Sequence, residues 1–250
     1  MASGMFTMDD LGQSSTFREL KAIYYVLISF VEHLKHRRVK IFTDNQNAAR
    51  IVSVGSSMVY LQSVTLSIFG FCFSHGIALE AQWIPRSLNE RADILSRFVD
   101  KDDWRINLSV FGLADVKWGP HTIDRFTSFS NAQLPRFNSK FAAPGCSAVD
   151  ALAQDWRGEN NWVCPPVGLV LDAIRLLLAC SGRGTLIIPQ WPSAYFWPIF
   201  LAYFWPLLRD GRSRFKSFVR DVLVLPAIKD LILEGPGQRQ VSPVRFLRLQ

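Results

Sequence analysis

Three carboxylates, Glu19, Asp44 and Asp93, are the side chains of this sequence best suited to metal-ion chemistry. Asp44 directly follows the β-rich run Val39–Thr43, so it is expected at the end of a strand, where a sheet holds a side chain at a fixed point. Glu19 and Asp93 lie in segments with helical patterns, before and after that strand. Mg²⁺ prefers oxygen ligands, and several carboxylates can hold two such ions, which activate water against a phosphodiester.

Each acid also has a simpler interpretation when it is taken alone. Thr16 and Glu19 have the spacing of a capping box, in which the glutamate serves only to begin a helix. Asp93 on its own is typical of a solvated helix residue, and many α/β domains have a strand that ends in aspartate. The set of three is therefore the signal. No histidine or cysteine cluster offers another metal site, because the four cysteines have no C-x-x-C spacing: Cys72, Cys146, Cys164 and Cys180.

The elements that must position these acids follow from apolar periodicity and from Gly and Pro signals. Residues 1–13 are expected to be a disordered leader. The predicted elements are a helix over 17–33, the strand 39–43, a helix over 45–54 that ends near Gly55, a helix over 58–74, a buried strand over 77–84 that Pro85 ends, and a short helix over 89–97.

Three motifs in this region carry a resemblance to a known family. They are Ser14–Ala22, Phe42–Asn45, and Trp83–Arg86 with Asn89–Asp93. In order and spacing they are similar to the ribonuclease H of retrotransposon polyproteins of the DIRS type, which carry a tyrosine recombinase. The resemblance covers residues 14 to about 111.

The resemblance implies an endonuclease that cleaves the RNA strand of an RNA–DNA hybrid, with two Mg²⁺ ions as cofactors. Glu19 matches the family's helix glutamate, Asp44 its strand-end aspartate and Asp93 its late aspartate, which makes these residues both the catalytic and the metal-binding candidates. The implied fold is α/β, with a ribonuclease H-like mixed sheet.

The chain also departs from the family pattern. The family fold opens with three antiparallel strands, the first of which carries a fourth acid, but only about 15 residues precede the first helix here. Asp9 and Asp10 lie too close to Thr16 to take that place. The sheet is therefore expected to lack its first strands and to leave an unpaired edge on strand 39–43. The nuclease activity of the chain is expected to be weak or absent. The alternative is a non-catalytic nucleic-acid-binding remnant.

A second block is similar to the phage-type DNA adenine methyltransferases that occur in some DIRS-type polyproteins. The residues that carry this resemblance are Asp124–Ser128, Asn131, Asp155–Trp156, Asn161–Pro166 and Leu186–Pro189. The predicted elements are a strand ending at 162–163, a helix over 169–179 and a strand over 185–188. The pattern equally fits an unrelated, smaller α/β module.

The methyltransferase resemblance makes Asp124, Cys164, Pro165 and Pro166 the candidate cofactor-binding residues, with Asp124 facing S-adenosylmethionine. In that family a polar residue precedes the Pro-Pro pair and an aromatic residue that stacks on the flipped base follows it. Here Cys164, a poor hydrogen-bond acceptor, takes the place of the polar residue, and Val167, which cannot stack on a base, takes the place of the aromatic residue. Binding of S-adenosylmethionine and methyl transfer are therefore not expected.

Composition and charge set the remaining limits. With 49% hydrophobic and 20% charged residues the chain is typical of a folded protein. The net charge is +7, and residues 201–250 hold nine of the 28 basic residues but only four of the 21 acidic ones. The two predicted domains are 14–111 and 112–208, and residues 209–250 are predicted to form a basic tail. Such a tail can bind a nucleic-acid backbone or an anionic membrane, or can simply be solvated.

The sequence has no signal-peptide pattern at its start, and its longest apolar run, 194–208, contains Pro198 and Pro206 and falls short of the ~20 residues that span a bilayer. We therefore expect an intracellular protein of the cytoplasm or nucleus without a stable membrane span. Its expected partners are an RNA–DNA hybrid or DNA, and other domains of a retrotransposon polyprotein.

Overall fold

The strand that precedes Asp44 forms as predicted, in an α/β chain that divides into two units. The structure is a computed structural model, and it describes residues 6–90, 92, 94, 103–191, 196–199, 218–227, 230–234, 239–240 and 244–249. The first unit spans 1–98 with 141–144, and the second spans 99–140 with 145–250. The division near residue 98 corrects the predicted domain boundary at 111, because residues 104–118 form elements of the second unit.

The first unit is built from five helices, two strands and a short 3-10 helix among its described residues. In chain order they are α1 Met8–Leu11, α2 Ser15–Ser29, α3 Val31–Leu34, β1 Arg38–Thr43, α4 Gln46–Val54, α5 Val59–Ser74, β2 Ala78–Trp83 and the 3-10 helix Arg86–Leu88. β1 and β2 pair in parallel, with Arg38 opposite Ala78 and Thr43 opposite Trp83. The predicted helix over 89–97 lies mostly outside the described residues.

Three details of this unit differ from the expectations. Residues 8–11 are a helical turn rather than a disordered leader, since Thr7 caps them and Lys21 forms an ion pair with Asp10 at 2.8 Å. Ser14, not Thr16, caps α2, because its hydroxyl accepts the amide N–H of Phe17. β2 is not a buried strand, since each of its residues is exposed or half-buried.

The helices cover one face of the two-stranded sheet. Their core residues are apolar and almost without exposure, among them Leu20, Leu27, Ala48 and Ile68. Val39 and Ile41 of β1 and Leu79 and Ala81 of β2 pack against this core. The alternate residues of both strands face away from it, as the period of two in a strand requires.

The second unit contains a five-stranded sheet in the order β4-β7-β8-β12-β9. Its elements in chain order are β3 Trp104–Ile106, α6 Leu108–Trp118, β4 Ile123–Asp124, β5 Asn138–Ser139, β6 Ala148–Val149, β7 Asn160–Val163, α7 Val170–Ala179, β8 Arg183–Pro189, α8 Phe196–Ile199, β9 Val219–Leu225, β10 Ile232–Glu234, β11 Arg239–Gln240 and β12 Val244–Leu249. β4, β7 and β8 are parallel, whereas β12 runs antiparallel to both of its neighbours.

The basic C-terminal segment is therefore part of the fold, which corrects its prediction as a tail beyond both domains. β9 and β12 complete the five-stranded sheet, and β10 pairs with β3 and β11 in a smaller antiparallel sheet. Residues 104–118 supply β3 and α6 of this unit. By contrast, β7, α7 and β8 agree with the predicted strand, helix and strand to within two residues.

Both faces of the five-stranded sheet are covered. Leu186 and Ile188 of β8 belong to the core cluster that contains Ile174 of α7, and Ile187 belongs to the cluster that contains Phe111 of α6. These three strand residues have no exposed surface. The alternation explains why this strand is apolar at successive positions.

A buried polar chain joins α6 to β8. The ring of His121 contacts Asp115 Oδ1 through Nδ1 at 2.6 Å and Thr185 Oγ1 through Nε2 at 2.8 Å. His121 and Thr185 are both buried, at 5% and 0% exposure. Burial lowers the pKa of His121, although the bond to Asp115 acts in the opposite direction. The arrangement has the order of a catalytic triad, but the buried Thr185 hydroxyl is closed to a substrate, so its role is structural.

Acidification should reduce the contribution of His121 to the stability of the fold. Because the pKa of His121 is lowered in the folded chain, its contribution to stability is present above about pH 6.5 and is lost as the pH falls, since unfolded His121 then takes up a proton that the folded chain resists. We expect the difference in unfolding free energy between the wild type and His121→Gln to shrink by up to ~1.4 kcal/mol from about pH 7.5 to about pH 5.5. Urea unfolding at both pH values measures it, and a difference that stays constant would contradict the buried neutral ring.

Candidate functional site

The first candidate site lies where β1 and β2 end. Glu19 of α2 reaches this point, because its Oε1 accepts a hydrogen bond from the hydroxyl of Thr43, the last residue of β1, at 2.6 Å. Asp44 follows directly in the chain, and its backbone carbonyl accepts the indole N–H of Trp83, the last residue of β2, at 3.2 Å. Two of the three predicted acids therefore belong to the same strand end.

The local sequence explains why the chain turns here. Asn45 caps α4, since its side-chain oxygen accepts the amide N–H of Ala48 at 3.0 Å. The buried Thr43 hydroxyl also accepts the amide N–H of Asn45 at 3.1 Å. Thr16, on the first turn of α2, contacts the Asn45 amide nitrogen at 3.4 Å. The three polar side chains tie the start of α2 to the start of α4, which positions Glu19 beside the strand end.

The donor set of this site consists of oxygens only. Asp44 is exposed and Glu19 is half-buried, and the carboxylate of Asp44 has no side-chain partner among the residues that the structure describes. Asp93, the third predicted ligand, lies outside the described residues. Within those residues there is no group of three or more His, Cys, Asp or Glu side chains that could hold a metal ion. Glu19 and Asp44 fit the hard-oxygen preference of Mg²⁺, but as a pair they supply fewer carboxylates than two ions require.

Exposed basic and aromatic side chains surround the same strand end. On the face of β1 that turns away from the helices lie Arg38, Lys40 and Phe42, and Phe42 is 54% exposed. Lys40 Nζ lies 5.8 Å from the centre of the Phe42 ring. Trp83 is 41% exposed. Such a surface can contact phosphates through its cations and bases through its rings.

The second candidate site is formed by the residues matched to the methyltransferase motif. Asp124 ends β4 and Cys164 directly follows β7, and these strands are parallel neighbours, with Asp124 opposite Trp162. The two side chains therefore meet at one edge of the sheet. Pro165 is buried, and Pro166 precedes a single 3-10 turn over Val167–Leu169. The structure thus brings the predicted residues together.

Burial of this second site limits what it can bind. Asp124 is 2% exposed and Cys164 is 4% exposed. Asp124 Oδ2 accepts the amide N–H of Gln133 at 3.0 Å, whereas Oδ1 is buried and has no hydrogen-bond partner among the described residues. Burial raises the pKa of Asp124 to about 7. The thiol of Cys164 lies 3.9 Å from the Trp104 carbonyl oxygen, and burial raises its pKa.

These surroundings do not fit S-adenosylmethionine. A carboxylate that should face this cofactor must be accessible to it, and Asp124 is closed off by the chain itself. Sequence reasoning missed the contribution of Trp104 and Gln133, because both approach the strand end from segments that the motif does not include.

None of the four cysteines forms a disulfide. Among the described residues no single helix is long and apolar enough to cross a membrane, and α4 and α5 reach that length only as a pair that is bent by 63°. Of the apolar run 194–208, the structure describes only 196–199.

No protein-family model matches the chain, and no curated protein matches it. The geometry of the strand ends is therefore the basis for any functional assignment.

Replacing Asp124 tests whether its ionised carboxylate lowers the unfolding free energy. Because its pKa is raised to about 7, its contribution to stability is present below about pH 4 and is lost as the pH rises through 7. Asp124→Asn keeps an oxygen for the Gln133 N–H and removes the ionisable group. We expect the unfolding free energy of the variant to gain on that of the wild type by up to ~3 kcal/mol between about pH 5 and about pH 8.

The matched control is Asp172→Asn, because Asp172 is a surface acid that pairs with Arg175 in α7. This variant should show no such rise across the same pH range. If Asp124→Asn loses stability relative to the wild type as the pH rises, the ionised carboxylate must have a stabilising partner, and the description of a buried, unsatisfied oxygen would be wrong.

Proposed function

We propose that the first unit is a ribonuclease H-like module of retrotransposon origin that binds RNA–DNA hybrids, with cleavage weak or absent in this chain. The observation that supports it is the contact between Glu19 and Thr43, which brings the helix glutamate to the strand end where Asp44 begins the next turn. The pattern of a helix acid beside a strand-end acid is the one that the sequence resemblance requires.

The chemistry of the site follows from its two acids. A divalent ion held by Glu19 and Asp44 would polarise a phosphodiester oxygen and lower the pKa of a bound water. Glu19 is oriented by Thr43, so its second oxygen is the one left for a ligand. Asp44 is exposed and can approach a phosphate backbone through such an ion. Arg38 and Lys40 on β1 would offset the negative charge of the nucleic acid.

A non-catalytic, hybrid-binding remnant is the second candidate. It is favoured by the exposed face of β1, where Arg38, Lys40 and Phe42 can contact backbone and bases without any metal. It is also favoured by the acids at the site, since Glu19 and Asp44 are the two that the described residues bring there. The two candidates differ in whether Asp44 is needed for turnover or only lies near the bound strand.

Cleavage of a labelled RNA–DNA hybrid in Mg²⁺ or Mn²⁺ tests the first candidate. If the chain is a nuclease, Asp44→Asn should reduce the rate at least ~100-fold, since it removes a metal-binding oxygen. Glu80→Gln is the matched control, because Glu80 is an exposed acid on the neighbouring strand that pairs with Lys40 at 3.2 Å, and its replacement should leave the rate within about twofold.

Hybrid binding in the presence of a chelator separates the two candidates. A chain that does not cleave but binds the hybrid with an affinity that falls with added salt, and falls further in Arg38→Ala, would support the remnant. A chain that neither cleaves nor binds a hybrid would refute the proposal in both forms.

A further inference from the structure

One edge of β1 is open. β2 is the only strand that pairs with β1 among the described residues. The carbonyl oxygens of Arg37 and Thr43 accept the amide N–H groups of Ala78 and Ile84, each at 2.9 Å. Since partners alternate along a parallel ladder, the odd-numbered residues of β1 are bonded to β2. The N–H and C=O groups of the even-numbered residues, Arg38, Lys40 and Phe42, therefore point to the free edge.

These even-numbered residues lie on the face of the sheet that turns away from the helices. All three are exposed, as are most residues on the same face of β2. The apolar residues of β1, Val39 and Ile41, turn toward the helices and are half-buried. An open edge of this kind is a template for another strand, because its backbone groups are already aligned for a ladder.

The edge is complementary to itself in one antiparallel register. In an antiparallel pair, residues whose backbone groups point outward face one another, so even-numbered residues must oppose even-numbered ones. With a two-fold axis at Ile41, Lys40 opposes Phe42 and Arg38 comes opposite Asp44. Each cation then meets a ring or a carboxylate, and both contacts occur twice.

The neighbouring registers are poorer. An axis at Lys40 places Lys40 opposite Lys40, and an axis at Val39 places Arg38 opposite Lys40, so like charges meet in both. An axis at Phe42 pairs Lys40 with Asp44 but overlaps fewer residues of the strand. The charge sequence of the edge therefore selects the register centred on Ile41.

We propose that the free edge of β1 binds the same edge of a second copy of this chain, which joins the two sheets into one of four strands. The occupant is a second copy because the pattern of charge is complementary under a two-fold rotation, where any unrelated strand would have to match Arg38, Lys40 and Asp44 separately. The contact is short and the association is weak. It uses the face and edge of the first unit and does not depend on nuclease activity.

A charge exchange at positions 38 and 44 tests the register. Sedimentation equilibrium of the full chain should show a monomer–dimer equilibrium. Arg38→Asp places two acids opposite each other, and Asp44→Arg places two arginines opposite each other, so each should weaken the dimer roughly tenfold or more. The double variant, Arg38→Asp with Asp44→Arg, restores opposite charges and should recover most of the lost affinity.

A proline at position 40 tests the backbone ladder. The N–H of Lys40 points to the free edge, so Lys40→Pro removes no bond to β2 but blocks the new pairing. It should make the chain monomeric, whereas the matched control Lys40→Ala keeps the N–H and should still dimerise. Circular dichroism of each variant checks that the fold is retained, and if Lys40→Pro fails to fold the charge exchange decides alone.

Three results would overturn the proposal. They are a wild type that stays monomeric up to about 1 mM, a folded Lys40→Pro variant that dimerises as the wild type does, and a double charge variant no better than the single ones. Recovery in a Lys40→Asp, Asp44→Lys exchange instead of the 38–44 exchange would overturn the register centred on Ile41 in favour of the one centred on Phe42.

Discussion

The first unit depends on a single parallel pairing, that of β1 with β2, because its described residues contain no other sheet contact. Two strands alone are marginally stable, and parallel sheets are usually covered on both faces. The helices must therefore supply most of the stability, and they do so through a core in which Leu20, Leu27 and Ile68 have no exposed surface. The position of Glu19 follows from that packing, since its neighbour Leu20 anchors α2 in the core that also covers β1 and β2.

The second unit has a larger sheet, and polar side chains buried beside it are stabilised by hydrogen bonds. Asn161 donates to the carbonyl oxygens of Trp156 and Arg183, and its own oxygen accepts Arg125 Nε at 2.7 Å. The Arg125 guanidinium is buried, which lowers its pKa to about 10, and it is hydrogen-bonded at all three nitrogens, also to Asn138 and to the Asp155 carbonyl. Fully bonded groups of this kind cost little when buried. Asp124 is the contrast, because within the described part of the chain its Oδ1 has no hydrogen-bond partner.

Local signals predicted most of what the sequence could determine. The α4 and α5 helices, β1, β2, β7, α7 and β8 lie within two residues of their expected bounds, because each has a clear apolar period or ends at Gly or Pro. Placing Glu19 and Asp44 at one strand end was also within reach of the sequence, since the pattern of a helix followed by a strand ending in Asp brings them together.

The misses share a physical cause, which is that the deciding partner is distant in the chain. Ser14 and Thr16 can both cap a helix, so the local sequence does not decide between them. In the structure Ser14 caps α2, and Glu19 accepts the hydroxyl of Thr43, which is 24 residues away. β12 pairs with β8, more than 50 residues earlier, so no local pattern could show that the basic C-terminal segment belongs to the sheet. The burial of Asp124 likewise depends on Gln133 and on the chain around Trp104, outside the motif.

The open edge and the acidic strand end share one residue. Asp44 supplies a carboxylate at the candidate metal site, and in the pairing centred on Ile41 the same carboxylate lies opposite Arg38 of the second copy. A guanidinium paired with a carboxylate occupies the oxygens that a divalent ion would need. Phe42 and Lys40 are shared in the same way, since they would either contact nucleic acid or face each other across the new ladder. If both proposals hold, a hybrid and a second copy of the chain would compete for one surface, because each would use the carboxylate of Asp44.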